Sequence, residues 1–240
     1  MAGRHHPTSG VRDGGDKLEF GERVSVLRET ALELAESGKF NQAYEVAQQA
    51  LAETEAGPQD QHYVLLSESA WYLSRLGMHE EALAAAQQAA SGLAELLGEN
   101  HLATVDARNN VARFLWRVGR IEEAVALGDA VLSAYEDKLG AEDDRTLVAL
   151  TNLVNYYIAA GDGRNANAYG IVLCQIWEKR GEWDHPKALE AKLAALQAAH
   201  LDGWAVTDAE IDDLLARFRR VLGETHPNTI RAQAALAELT

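Results

Sequence analysis

Residues 111–124 read VARFLWRVGRIEEA. Val111, Ala112 and Leu115 fall at i, i+1 and i+4, which is one face of a helix. Gly119-Arg120 breaks that pattern, and glycine tolerates the positive φ that ends a helix. Ile121 opens a second helical stretch in which Ala124 is small where two helices must cross closely. Leu127, Val131 and Leu132 continue its apolar face. The spacing predicts one helix over 103–118, a tight turn, and a second helix over 121–139 stopped by Gly140.

The same grammar extends along the chain. Gly38, Gly77, Gly119, Gly161 and Gly203 stand 39, 42, 42 and 42 residues apart, and Ala43, Ala82, Ala124 and Ala166 each follow their glycine by five positions. A fixed period near forty residues identifies a repeat array. The apolar positions recur with it: Ala31 and Leu34, Ala70 and Leu73, Val154 and Tyr157 precede the turn in repeats one, two and four. The linker recurs as Leu97-Gly98-Glu99-Asn100-His101, Leu139-Gly140-Ala141-Glu142-Asp143 and Leu222-Gly223-Glu224-Thr225-His226. Thr104, Thr146 and Thr229 follow at one offset, and Gly181 to Pro186 is a variant. Acids, Ser/Thr and an early proline all suit a helix start.

These residues resemble the tetratricopeptide repeat, in the long form of about 42 residues found in kinesin light chains and many bacterial proteins. The resemblance rests on Leu-Gly-x-x-His-Pro-x-Thr (Leu222 to Thr229), on Asn-x-Ala (Asn110, Ala112), and on Gly-x-x-x-Glu-Ala (Gly77 to Ala82, Gly119 to Ala124). It implies an all-α, right-handed superhelical solenoid of stacked antiparallel helix pairs with a concave groove. It implies no chemistry by itself. The expected organisation is a disordered tail over 1–16 and a solenoid over 17–240, of about five helix pairs plus one C-terminal helix.

Repeat five departs from the pattern. Ala209 lies one position late, and Thr207-Asp208-Ala209-Glu210 reads as a capping box that starts the second helix at Asp208. A sixth first-helix over 227–239 has no successor, and its Ala235, Leu236 and Leu239 are apolar. Solenoid ends normally need a polar outer face, so either this helix caps the array or, as its apolar end favours, the chain is the front of a longer protein; self-association through this helix belongs to a second reading.

Composition narrows the partners. The net charge is −15, and 47% of the 240 residues are apolar but only 7% aromatic. Such an acidic balance opposes nucleic acid as the main partner and docking on anionic membranes. A single cysteine, Cys174, excludes an intramolecular disulfide. No apolar run reaches membrane-spanning length, and the first sixteen residues lack a secretory apolar core. The expectation is a cytoplasmic protein.

No catalytic constellation emerges, so the expected function is non-catalytic, with no cofactor and no metal. His62, His101, His185 and His226 recur one per repeat in what read as equivalent loops, too far apart to share an ion. Asp208, Asp212 and Asp213 suit the positive end of a helix dipole. Gly161-Asp162-Gly163 lacks the Lys-Ser/Thr and the strand context of a phosphate loop. Cys174 sits among Ile171 and Leu173 as a packed thiol.

The polar positions of the first helices are more informative. The resemblance places them on the concave face: Glu68, Trp71 and Arg75; Asp106, Asn109, Asn110, Arg113 and Arg117; Asn152 and Asn155. Asn110 and Asn152 are equivalent positions, as are Arg113 and Asn155. Asparagine is unfavourable within a helix, and two on each of two neighbouring helices invites a functional reason. Asn donates and accepts at once, and Arg offers a fork that grips a carboxylate. Peptide-binding tetratricopeptide domains use such residues to clamp a peptide backbone or terminal carboxylate. The expected ligand site is therefore Trp71, Arg75, Asn109, Asn110, Arg113, Arg117, Asn152 and Asn155, in the groove of repeats two to four. It would bind a protein or peptide segment carrying acidic groups or a free carboxylate. Trp71 and Trp116 serve equally well as groove contacts or as packing. The alternative expectation is a regulatory or sensor module of a larger signalling protein. An atypical helical enzyme would need a clustered acid/base set.

Overall fold

The structure, a computed structural model, describes residues 20–55 and 57–239. The tail expected over 1–16 lies outside the described residues. Among those residues the chain is helical throughout, with no strand. The elements are α1 (Phe20–Glu36), α2 (Phe40–Thr54), α3 (Gln59–Arg75), α4 (His79–Leu97), α5 (Leu102–Arg117), α6 (Ile121–Leu139), α7 (Asp144–Ala159), α8 (Gly163–Arg180), α9 (Pro186–Leu201), α10 (Asp208–Leu222) and α11 (Pro227–Ala237). Odd-numbered helices open the repeats and even-numbered helices close them. Each helix packs on its sequence neighbours, and α3, α5, α7, α9 and α11 also stack on one another as first helices. The result is an all-α solenoid of antiparallel helix pairs.

The repeating glycines and alanines have the roles their spacing predicts. Gly119 turns the chain at φ +81° between α5 and α6, a conformation that would strain any other residue. Ala43, Ala82, Ala124 and Ala166 are completely buried, where the absence of a longer side chain lets paired helices approach. Four linkers share a device. His101, Asp143, His185 and His226 cap the following helix through their side chains. Thr104 and Thr146, both buried, donate back to the carbonyls of Gly98 and Gly140 at 2.9 and 2.8 Å. The linkers before α5 and α7 are thereby pinned at both ends.

His62 breaks the expected series. It lies inside α3, three residues beyond the position equivalent to His101, with Nδ1 3.0 Å from Thr54 Oγ1. That helix starts instead from Pro58, which carries no side-chain cap.

Repeat five is irregular for the reason legible in its sequence. Thr207 and Glu210 close a reciprocal capping box, and α10 starts at Asp208. Ala209 is then exposed rather than buried at a crossing. In its place Ile211, Leu214 and Phe218 bury against Leu189, Leu193 and Leu196 of α9 and Ala232 and Leu236 of α11. Leu239, which reads as an exposed apolar end, is also part of this cluster. The apolar face of α11 is thus largely spent within the chain, leaving Ile230 exposed.

Candidate functional site

A cavity of about 500 Å³ opens on the face formed by α1, α3 and α5. Two columns of equivalent positions line it. One column is Glu29, Glu68 and Asn110; the other is Leu32, Trp71 and Arg113. Successive members stand 39 and then 42 residues apart, so the repeat period itself stacks them along the inner wall. The columns continue in repeat four as Asn152 and Asn155.

Charge changes along this wall. At the α1–α3 end Arg28 holds Glu68 through two hydrogen bonds, one of 2.8 Å from Nε. That contact raises the Arg28 pKa further. At α5 the situation differs. Arg113 donates from Nη2 to Asn110 Oδ1 at 3.1 Å, and Asn110 Nδ2 donates to Ser67 Oγ at 3.0 Å. No carboxylate pairs with Arg113 among the described residues, and burial lowers its pKa. Arg117 is also lowered, by burial first and then by Arg231 and Arg75. Arginines from α3, α5 and α11 therefore share one electrostatic field on the inner face of a strongly acidic protein. The Tyr156 hydroxyl, buried and without a protein partner, belongs to the same field. Burial raises its pKa, while Arg113 and Arg117 pull it down.

The aromatic residues brace these cations. Arg75 lies 4.7 Å from the centre of the Phe40 ring and 5.9 Å from that of Trp71. Arg117 lies 4.7 Å from Trp116, whose ring is 6.0 Å from Tyr156. Cation–π contact holds a guanidinium in place without neutralising it.

Residues 61–136 match the tetratricopeptide repeat family. Over that stretch the chain is similar to tetratricopeptide repeats. A Podosopora anserina putative kinesin light chain with nearly identical repeats of this type is similar over 87% of the chain and 99% of its own, at 22% identity and a TM-score of 0.69. BtubC (BKLC) from P. vanneervenii is similar over 88% of the chain and 95% of its own, at 17% identity and 0.67. The Rap protein complexed with Competence and Sporulation Factor is similar over 92% of the chain and 56% of its own, at 15% identity and 0.66. At these identities the likeness concerns the fold alone. No curated protein matches the chain.

Within this helical array the sequence-derived site residues separate into groups. Trp71, Asn110 and Arg113 line the main cavity together. Arg75 and Arg117, equivalent positions one repeat apart, flank it as exposed cations. Asn152 lines a separate cavity of about 50 Å³ with Thr151, Trp177 and Glu190. Asn155 turns back on its own helix, donating to the Thr151 carbonyl at 3.0 Å. Asn109 is half-buried and lines neither cavity. Asp106 points across to α6, where it accepts from Tyr135 Oη at 2.6 Å. This cavity thus spans repeats one to three, whereas the expected site lay in repeats two to four. Sequence reasoning missed Glu29, Leu32 and Arg28 on α1, although stepping back 39 residues from Glu68 and Trp71 lands on the first two. Arg231 carried no such signal, although its charge acts on Arg117.

Proposed function

We propose that the concave face of repeats one to three binds an extended protein or peptide segment through an acidic group or free carboxylate beside an apolar side chain. Arg113 and Arg117 meet the anion, with Arg75 adding long-range attraction. Trp71 and Leu32 receive the apolar side chain, and Asn110 offers its remaining donor and acceptor capacity to the segment's amides. The observation that carries the reading is Arg113: a desolvated guanidinium opening into the cavity with no carboxylate partner among the described residues. Buried charge without a counter-ion costs stability, and a ligand carboxylate would offset that cost with a forked, charge-assisted hydrogen bond. The fold is one that commonly serves as a protein-interaction scaffold, and a similar chain, the Rap protein, is seen complexed with a factor. Such a role calls for no catalytic group.

Selection from a random peptide library displayed with free C-termini tests this reading. The full chain should enrich peptides that place Asp, Glu or the terminal carboxylate within a few residues of an aromatic or aliphatic side chain. Arg113→Met, which keeps the stem and removes the charge, should fail to enrich them. Equal enrichment by both proteins would contradict the proposal.

A further inference from the structure

A second cleft, of about 350 Å³, lies between α9, α10 and Trp183 of the preceding linker. This cleft shares no residue with the concave cavity. Trp183, Leu189 and Leu214 supply apolar walls, and Ala209 borders it from α10. A concave, largely apolar space between helices with a few polar groups is the form of a small-molecule site.

The charges around the cleft are unevenly satisfied. Glu210 accepts from the Thr207 amide and hydroxyl at 3.0 and 2.8 Å. Asp213 accepts from Arg217 Nε at 2.8 Å, and Arg217 also reaches Asp184 at 3.4 Å. Lys192 lines the same cleft half-buried, with neither an ion pair nor a hydrogen bond among the described residues. Its electrostatic neighbours are Glu210, already committed to the capping box, and the Cys174 thiol on α8. Lys192 is therefore the lining cation whose hydrogen-bonding capacity is unused among the described residues, and it stands beside an aromatic and two leucines.

We infer that the α9–α10 cleft binds a small amphipathic carboxylate, its apolar body against Trp183, Leu189 and Leu214 and its carboxylate on Lys192 Nζ. A dianion such as phosphate fits less well, because among the described residues Lys192 is the one lining cation without an ion pair and the floor is apolar. A cationic amphiphile would meet Lys192 with like charge, while Glu210 and Asp213 already accept from Thr207 and Arg217.

The test uses decanoate as the probe on the full chain, with decylamine as a cation of the same apolar body. The readout is the Trp183 indole N–H signal in a nitrogen-15-labelled protein, assigned by Trp183→Phe. Decanoate should shift this signal saturably, and decylamine should not. Lys192→Met should weaken decanoate by about tenfold, the usual scale for losing a hydrogen bond to a charged group. Ala209→Phe, which fills the cleft from the exposed side of α10, should abolish the shift with helicity retained. Should that variant misfold, Lys192→Met alone still decides. No saturable shift, equal binding of decylamine, or unchanged affinity in Lys192→Met would each overturn the inference.

Discussion

Arg113 shows how a single residue can weigh against the stability of the fold that carries it. Its neighbours offer an amide oxygen and the face of Phe114, 5.0 Å from the guanidinium carbon, but no carboxylate. Replacing a desolvated, uncompensated charge with an apolar side chain of similar length is often neutral or stabilising. Arg113→Met should therefore melt at or above the wild-type temperature in a thermal scan by circular dichroism. A fall of several degrees would mean that the guanidinium supports the fold. The type of this residue was legible in the sequence, since Arg among mid-helix asparagines points to recognition. The fate of each asparagine was not. Asn110 and Asn152 share one column and Asn155 stands in the next, yet one joins a hydrogen-bond chain, one borders a separate small cavity, and one bonds its own helix. Those differences depend on which side chain stands opposite, and periodicity carries no information about that.

At the scale of the helix pair, the crossing alanine decides how closely two elements approach. Ala124→Leu would force a branched side chain into a completely buried contact between α5 and α6 and should cost about 1–3 kcal/mol. Ala209→Leu, at an exposed position, should stay within about 0.5 kcal/mol of wild type. Urea midpoints for the two variants check the contrast, and equal losses would contradict the account of α10. This difference was visible beforehand, because Ala209 is one position out of phase and Thr207 and Glu210 flank it as a cap. The opening of a cleft beneath α10 was not, because helix separation follows from three-dimensional packing rather than phase. The join between repeats four and five depends in part on Asp144 at the start of α7. It accepts from Arg180 Nη2 at 3.0 Å and Lys187 Nζ at 3.2 Å, and these bonds hold its carboxyl below the ordinary range. A lowered folded-state pKa adds stability that is fully present above the ordinary carboxyl value and is lost as pH falls through the lowered one. Asp144→Asn should thus cost less than about 1 kcal/mol at neutral pH, as befits an exposed pair. The difference from wild type should vanish in acid, as urea titrations at the two pH values would reveal.

At the scale of the whole molecule, the array combines a net charge of −15 with a cluster of arginines on its inner face. Period and glycine spacing made the solenoid readable from the sequence, because every repeat restates the same turn and crossing. Not readable was the approach of Arg231 on α11 to Arg117 on α5, two helices distant in sequence whose charges act on one another. Among the described residues no helix is long and apolar enough to cross a membrane. The central claim is that this inner face recognises an acidic segment through Arg113. Its most direct test is calorimetric titration of wild type and Arg113→Met with one peptide selected on the wild-type chain. The account predicts affinity at least about tenfold weaker for the variant, a loss of about 1.4 kcal/mol or more, with its thermal stability undiminished. Equal affinities for the two proteins would contradict it.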